Sequence, residues 1–201
     1  FERSVDKLMV AAMASPEQFA VYVNGALEIP LIGIITGSVT SVLIPEYTRL
    51  YAEGRLSAIV ALMHRAMTSC ALVILPVMAF LFVVADDLMV VLFGPAYAGS
   101  AAPFRVYLLL LPVRTLTFGA LFMAMGQGRY ILVQTIITLA INIPLNWLAI
   151  RLFGTIGAAI ASAIAVYLVS LPYIFVQLRR QLGCPIRRLV PWRKLCEMGS
   201  V

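Results

Sequence analysis

Apolar residues along this chain do not recur with the three-to-four spacing of a soluble amphipathic helix. They run on with few interruptions, through about 18–43, 60–85, 104–125, 130–150 and 155–178. A helix needs about 20 such residues to cross the hydrocarbon core of a bilayer. None of the five runs shows the short apolar–polar alternation of an outer-membrane strand. The pattern therefore predicts an all-α integral membrane protein, a helical bundle with five complete transmembrane helices. Residues 1–14, FERSVDKLMVAAMA, read as the end of a sixth helix, closed by Ser15-Pro16-Glu17. Ser15 suits an N-cap and Pro16 the first turn of the helix that follows. The chain is accordingly expected to be a piece of a longer membrane protein.

Composition agrees. Hydrophobic residues make up 62% and charged residues 12%, against about 25% charged in a soluble domain. A mean hydropathy of +0.99 leaves too few polar side chains to cover a surface in water. The net charge of +6 would suggest nucleic acid in a soluble protein. Here the basic residues lie mostly between the apolar runs. Arg49, Arg55, Arg65 and Arg129 flank connections on one side, joined by Arg179, Arg180, Arg187, Arg188, Arg193 and Lys194 of the tail. Only Arg105 and Arg151 fall on the other side. The positive-inside rule then predicts that the basic segment 179–201 lies in the cytoplasm. Nucleic acid is not an expected partner; membrane lipid is.

Cys70, Cys184 and Cys196 have no C-x-x-C spacing, so neither a disulfide framework nor a zinc site is indicated. No HExxH, P-loop or GxSxG sequence occurs. The chemistry on offer is that of a pathway and not of a reaction, so no enzyme, cofactor or metal is expected. Each predicted span carries a proline: Pro30, Pro76, Pro112, Pro144 and Pro172. These suit helices that bend, although proline is also commoner in membrane helices than in soluble ones. Gly33-Ile34-Ile35-Thr36-Gly37 and the run from Gly157 to Ala165 offer small faces for close helix contact.

The candidate site residues are polar groups set deep in apolar runs. Glu28 and Arg114 each lie about ten residues into a span, roughly 15 Å from its end. Asn142 is expected at a similar depth, with Asn146 one turn away. An ionised group at mid-membrane costs about 2.5–3.5 kcal/mol even on lenient scales, so such groups pair or face a water-filled cavity. Arg114, Asn142 and Asn146 are the substrate-binding candidates, with interhelical hydrogen bonding the plainer role for the asparagines. Glu28 and, on the incomplete first helix, Asp6 are candidates for ion coupling or for charge pairing. Coupling to a sodium or proton gradient is the accompanying expectation.

Leu92-Phe93-Gly94-Pro95-Ala96-Tyr97 with Ser100, then Met125-Gly126-Gln127, Asn142 and Asn146, and finally the stretch from Phe153 to Ser162, FGTIGAAIAS, occur in a telling order. This set resembles the C-terminal half of a polysaccharide-type flippase of the multidrug/oligosaccharidyl-lipid/polysaccharide exporter superfamily. The resemblance implies one half of a two-bundle transporter around a central cavity, with an N-terminal bundle of the same protein as partner. It implies alternating-access transport of an undecaprenyl-diphosphate-linked oligosaccharide or other cell-envelope precursor. A lipid II flippase or a cation-coupled multidrug antiporter are the alternatives. A cationic cavity suits a diphosphate, and Arg114 is the residue here that matches that role.

Overall fold

The computed structural model describes residues 2–183. Every regular element among them is helical. In chain order these are α1 (Glu2–Met13), α2 (Pro16–Gly25), α3 (Pro30–Ala52), α4 (Leu56–Val83) and α5 (Ala85–Phe93). After a 3₁₀ turn at Pro95–Ser100 come α6 (Ala101–Leu108), α7 (Leu111–Arg114), α8 (Phe118–Ala124) and α9 (Gly128–Phe153). Then α10 (Thr155–Ala165) runs through a π turn, Val166–Ser170, into α11 (Leu171–Leu182). The basic tail beyond residue 183, with Cys184 and Cys196, lies outside the described residues.

Among the described residues, four helices are long and apolar enough to cross a membrane: Pro30–Ala52, Leu56–Val83, Gly128–Phe153 and Thr155–Leu182. A fifth follows if the broken pair Pro95–Leu108 and Leu111–Ala124 counts as one span. The all-α membrane class is therefore as the hydrophobic pattern predicts.

Two of the runs expected to be single helices are interrupted. The run 18–43 splits into α2 and α3, with Ala26 to Ile29 between them. Proline explains the break. Pro30 has no N–H to bond the carbonyl four residues back, and its ring pushes the preceding residue out of the helical region. Ile29 is accordingly extended, at φ −82° and ψ 107°, and Pro30 begins α3 instead of kinking it. Pro112 sits likewise in the short α7, inside a stretch broken on both sides. Pro76 and Pro144, in contrast, lie within continuous helices. Pro172 follows directly on the π turn, a local widening that accommodates a missing backbone bond.

The chain forms two compact units. The first comprises Phe1–Glu28, Val77–Leu111 and Thr135–Leu171, the second Ile29–Pro76, Pro112–Gln134 and Pro172–Val201. In the first, Ser15 caps α2 as expected: its Oγ accepts from Gln18 N and the Gln18 side chain accepts from Ser15 N, both at 3.3 Å. Val10, Tyr22, Tyr107, Ile150, Ala158 and Ala159 form its core. Two glycines set how closely its helices approach. A Cβ on Gly157 would stand 2.1 Å from the Ala149 carbonyl oxygen, so α9 and α10 meet backbone to backbone. A Cβ on Gly25 would stand 2.6 Å from Ser100 O and 2.5 Å from the Pro103 ring. There the Ser100 hydroxyl donates to Val21 O at 2.7 Å, tying α2 to the turn before α6.

The second unit packs Leu43, Tyr47, Ile59, Met63, Phe118, Leu121, Phe122 and Leu178 into one core. Phe118 and Phe175 meet edge to face at 5.2 Å. On the Gly33–Gly37 face, read from sequence as a contact surface, a Cβ at either position would meet no other helix within 4 Å among the described residues. Within this chain the small-residue seam is the α10 one, where Ala161 and Ala165 are buried.

Gly157→Val is therefore expected to lower the stability of the purified full-length protein by about 1–3 kcal/mol, because the backbones must separate. Gly37→Ala should leave thermal unfolding almost unchanged. A Gly157→Val protein as stable as wild type would contradict the close approach.

Candidate functional site

Five helices of the first unit direct polar side chains to one buried point. Asp6, on α1, is the anionic member and is wholly buried. Its Oδ1 accepts from Asn146 Nδ2 at 2.8 Å. Its Oδ2 accepts from the Tyr107 hydroxyl at 3.2 Å and from the Ser162 hydroxyl in a very short contact. Asn146 Nδ2 also donates to Asn142 Oδ1 at 2.6 Å, and Asn142 Nδ2 donates to Ser162 Oγ at 3.1 Å. Tyr22, from α2, meets the Tyr107 hydroxyl at 2.6 Å. All six side chains are buried.

Each placement follows from local structure. Asn142 and Asn146 lie one turn apart on α9 and so share a face. The close approach at Gly157 brings α10 against that helix, which lets Ser162 reach both Asn142 and Asp6. The Gly25 contact seats α2 against the segment entering α6, where Tyr22 and Tyr107 join.

Burying an ionised carboxylate is costly unless donors replace its water. Three donors to Asp6 are described, from Asn146, Tyr107 and Ser162. Among the described residues, one acceptor in the cluster is unsatisfied: Asn146 Oδ1 is buried without a hydrogen-bond partner. A carboxylate beside amide and hydroxyl oxygens is the donor set of a hard cation or of a transferable proton. No grouping of three or more His, Cys, Asp or Glu able to hold a metal occurs among the described residues.

The other two candidates sit at helix ends. Glu28 is exposed in the break between α2 and α3, and Arg114 is exposed at the end of α7. Glu28 belongs to the first unit and Arg114 to the second. Asp86, in the Asp86-Asp87 pair, has a tethering role. Arg105 grips it through Nη2 at 2.5 Å and Nη1 at 3.2 Å while donating from Nε to Phe82 O. In the second unit an open, mostly apolar groove runs past Ser38, Val42, Leu62 and Arg65.

Thus Asp6, Asn142 and Asn146, three separate expectations, converge in one network. Sequence reasoning missed Ser162, Tyr22 and Tyr107. Ser162 is hidden in the small-residue run, and both tyrosines are indistinguishable in sequence from core aromatics.

Asn146→Leu removes donors from both Asp6 and Asn142 in a buried setting. It should cost about 2 kcal/mol or more, as stranding a buried charge does. Ser162→Ala should cost about 1 kcal/mol, typical of one hydrogen bond between membrane helices. Thermal unfolding of the purified full-length variants checks the order; equal, negligible effects would mean the network contributes nothing.

Comparison with known proteins supplies the family. The family described as lipid II flippase MurJ matches residues 7–197. No curated protein and no solved structure matches the chain. The match upholds the exporter superfamily and favours the lipid II branch over the polysaccharide branch. This multi-pass, all-α membrane chain belongs to the lipid II flippase MurJ family, whose members are transporters of a lipid-linked precursor and not enzymes.

Proposed function

We propose that this chain forms part of a flippase that carries lipid II across the bacterial inner membrane, coupled to a monovalent cation held at Asp6. The match over residues 7–197 carries the cargo class and favours lipid II over an O-antigen type of oligosaccharide. The coupling reading draws on the Asp6 network, a buried carboxyl group set among amide and hydroxyl groups, with the buried Asn146 Oδ1 unsatisfied among the described residues. Buried carboxylates in membrane helices are the usual seats of sodium or protons in transporters.

Helix breaks support the transport reading as well. Non-helical backbone at membrane depth is tolerated where it is buried in protein or lines a water-filled cavity. Glu28 and Arg114 lie at two such breaks and are exposed on this chain. Arg114, with a planar fork of donors suited to phosphate oxygens, is the residue proposed to attract the cargo's diphosphate. Alternating access then couples cation binding at Asp6 to exposure of the cargo path.

The test is reconstitution of the full-length protein in liposomes containing lipid II, with leaflet accessibility as the readout and a sodium or proton gradient imposed. Lipid II should move, and an undecaprenyl-diphosphate oligosaccharide should move more slowly. Asp6→Asn should remove the dependence on the gradient, and Arg114→Ala should stop movement while the protein still inserts. Gradient-dependent movement in Asp6→Asn, or selective movement of the oligosaccharide, overturns the corresponding half of the reading.

A further inference from the structure

Thr138 lies on α9 one turn before Asn142, so Thr138, Asn142 and Asn146 form one stripe at four-residue spacing. All three are buried, Thr138 to 1% exposure. Threonines within helices normally turn the hydroxyl back onto the carbonyl four residues earlier. Thr36, Thr48 and Thr68 do this, bonding Ile32, Ile44 and His64 at 2.8 Å each. Thr138 does not. Its Oγ1 is buried and has no hydrogen-bond partner among the described residues.

A buried hydroxyl without a protein partner is costly, and native proteins almost always fill such a site with water or an ion. At 1% exposure the group is already enclosed by this chain, which leaves a small guest as the natural partner. The second open acceptor on the same stripe is Asn146 Oδ1, two turns away and next to Asp6. At 1.5 Å rise per residue, Thr138 stands roughly 6 Å from Asn142 and 12 Å from Asn146 along the axis. One ion cannot touch both open oxygens. They mark two stations.

We propose that Thr138 Oγ1 is the ligand of a second station, which holds the water shell of a hydrated monovalent cation on its way along α9 to Asp6. The proposal rests on the reading of the Asp6 network as a cation site. The chemistry is that of an outer ligand: a neutral hydroxyl keeps part of the hydration shell in place, and the shell is exchanged for the Asp6 and Asn146 oxygens one to two turns further on.

The test uses the purified full-length protein and thermal unfolding at rising sodium chloride, with ionic strength held constant by choline chloride. Sodium should stabilise the wild type. Thr138→Val is nearly isosteric and removes the open hydroxyl. It should be at least as stable as wild type without sodium, and should need about 5-fold or more sodium for half of the stabilisation. Thr138→Ser should return the midpoint to within about 2-fold of wild type. The inference is overturned if the Thr138→Val midpoint stays within about 2-fold of wild type, or if this variant is destabilised without sodium. Asp6→Asn separates the two levels. Loss of the sodium response in Asp6→Asn with an unchanged Thr138→Val midpoint removes only the Thr138 station. A wild type indifferent to sodium, or an Asp6→Asn protein that still responds, removes the cation reading of the network itself.

Discussion

A carboxylate taken out of water has to be given back its hydrogen bonds, and in this chain that requirement falls on Asp6. Four other helices contribute to meeting it, through Asn142 and Asn146, Ser162, Tyr107 and, one bond further out, Tyr22. None of these groups reaches the carboxylate unless the backbones come close. Gly157 against the Ala149 carbonyl and Gly25 against Ser100 provide the approach. Glycine packing and the polar network are thus one arrangement, because the first sets the distances the second needs.

The broken helices belong to the same physics. In lipid a helix satisfies its own backbone, and a break is tolerable only where other groups or water can serve the freed carbonyls. Pro30 and Pro112 make such breaks, and a charged residue lies close to each, Glu28 before Pro30 and Arg114 after Pro112. Pro76 and Pro144 are carried inside unbroken helices. Proline by itself therefore does not decide where the chain interrupts. Its surroundings do.

The membrane class was legible in the sequence because it depends on run length and charge bias, which are one-dimensional. The Ser15 cap was legible for the same reason: its partners lie three residues away. Span continuity was less so. The run 18–43 is as apolar as an unbroken helix, and only the extended Ile29 before Pro30 shows that it is two. Asp6, Asn142 and Asn146 could be named as polar residues out of place, but their meeting could not, since 140 positions separate Asp6 from Asn146. The Gly33–Gly37 motif shows the same limit: spacing describes a face and says nothing of what is pressed against it.

The central claim is that the Asp6 carboxylate binds a cation directly. Infrared difference spectra of the full-length protein, recorded in sodium and then in choline, observe that carboxylate without reference to transport. A sodium-dependent shift of a carboxylate band, absent from Asp6→Asn, is the result predicted. Spectra showing no such band, or the same band in both proteins, would contradict the account.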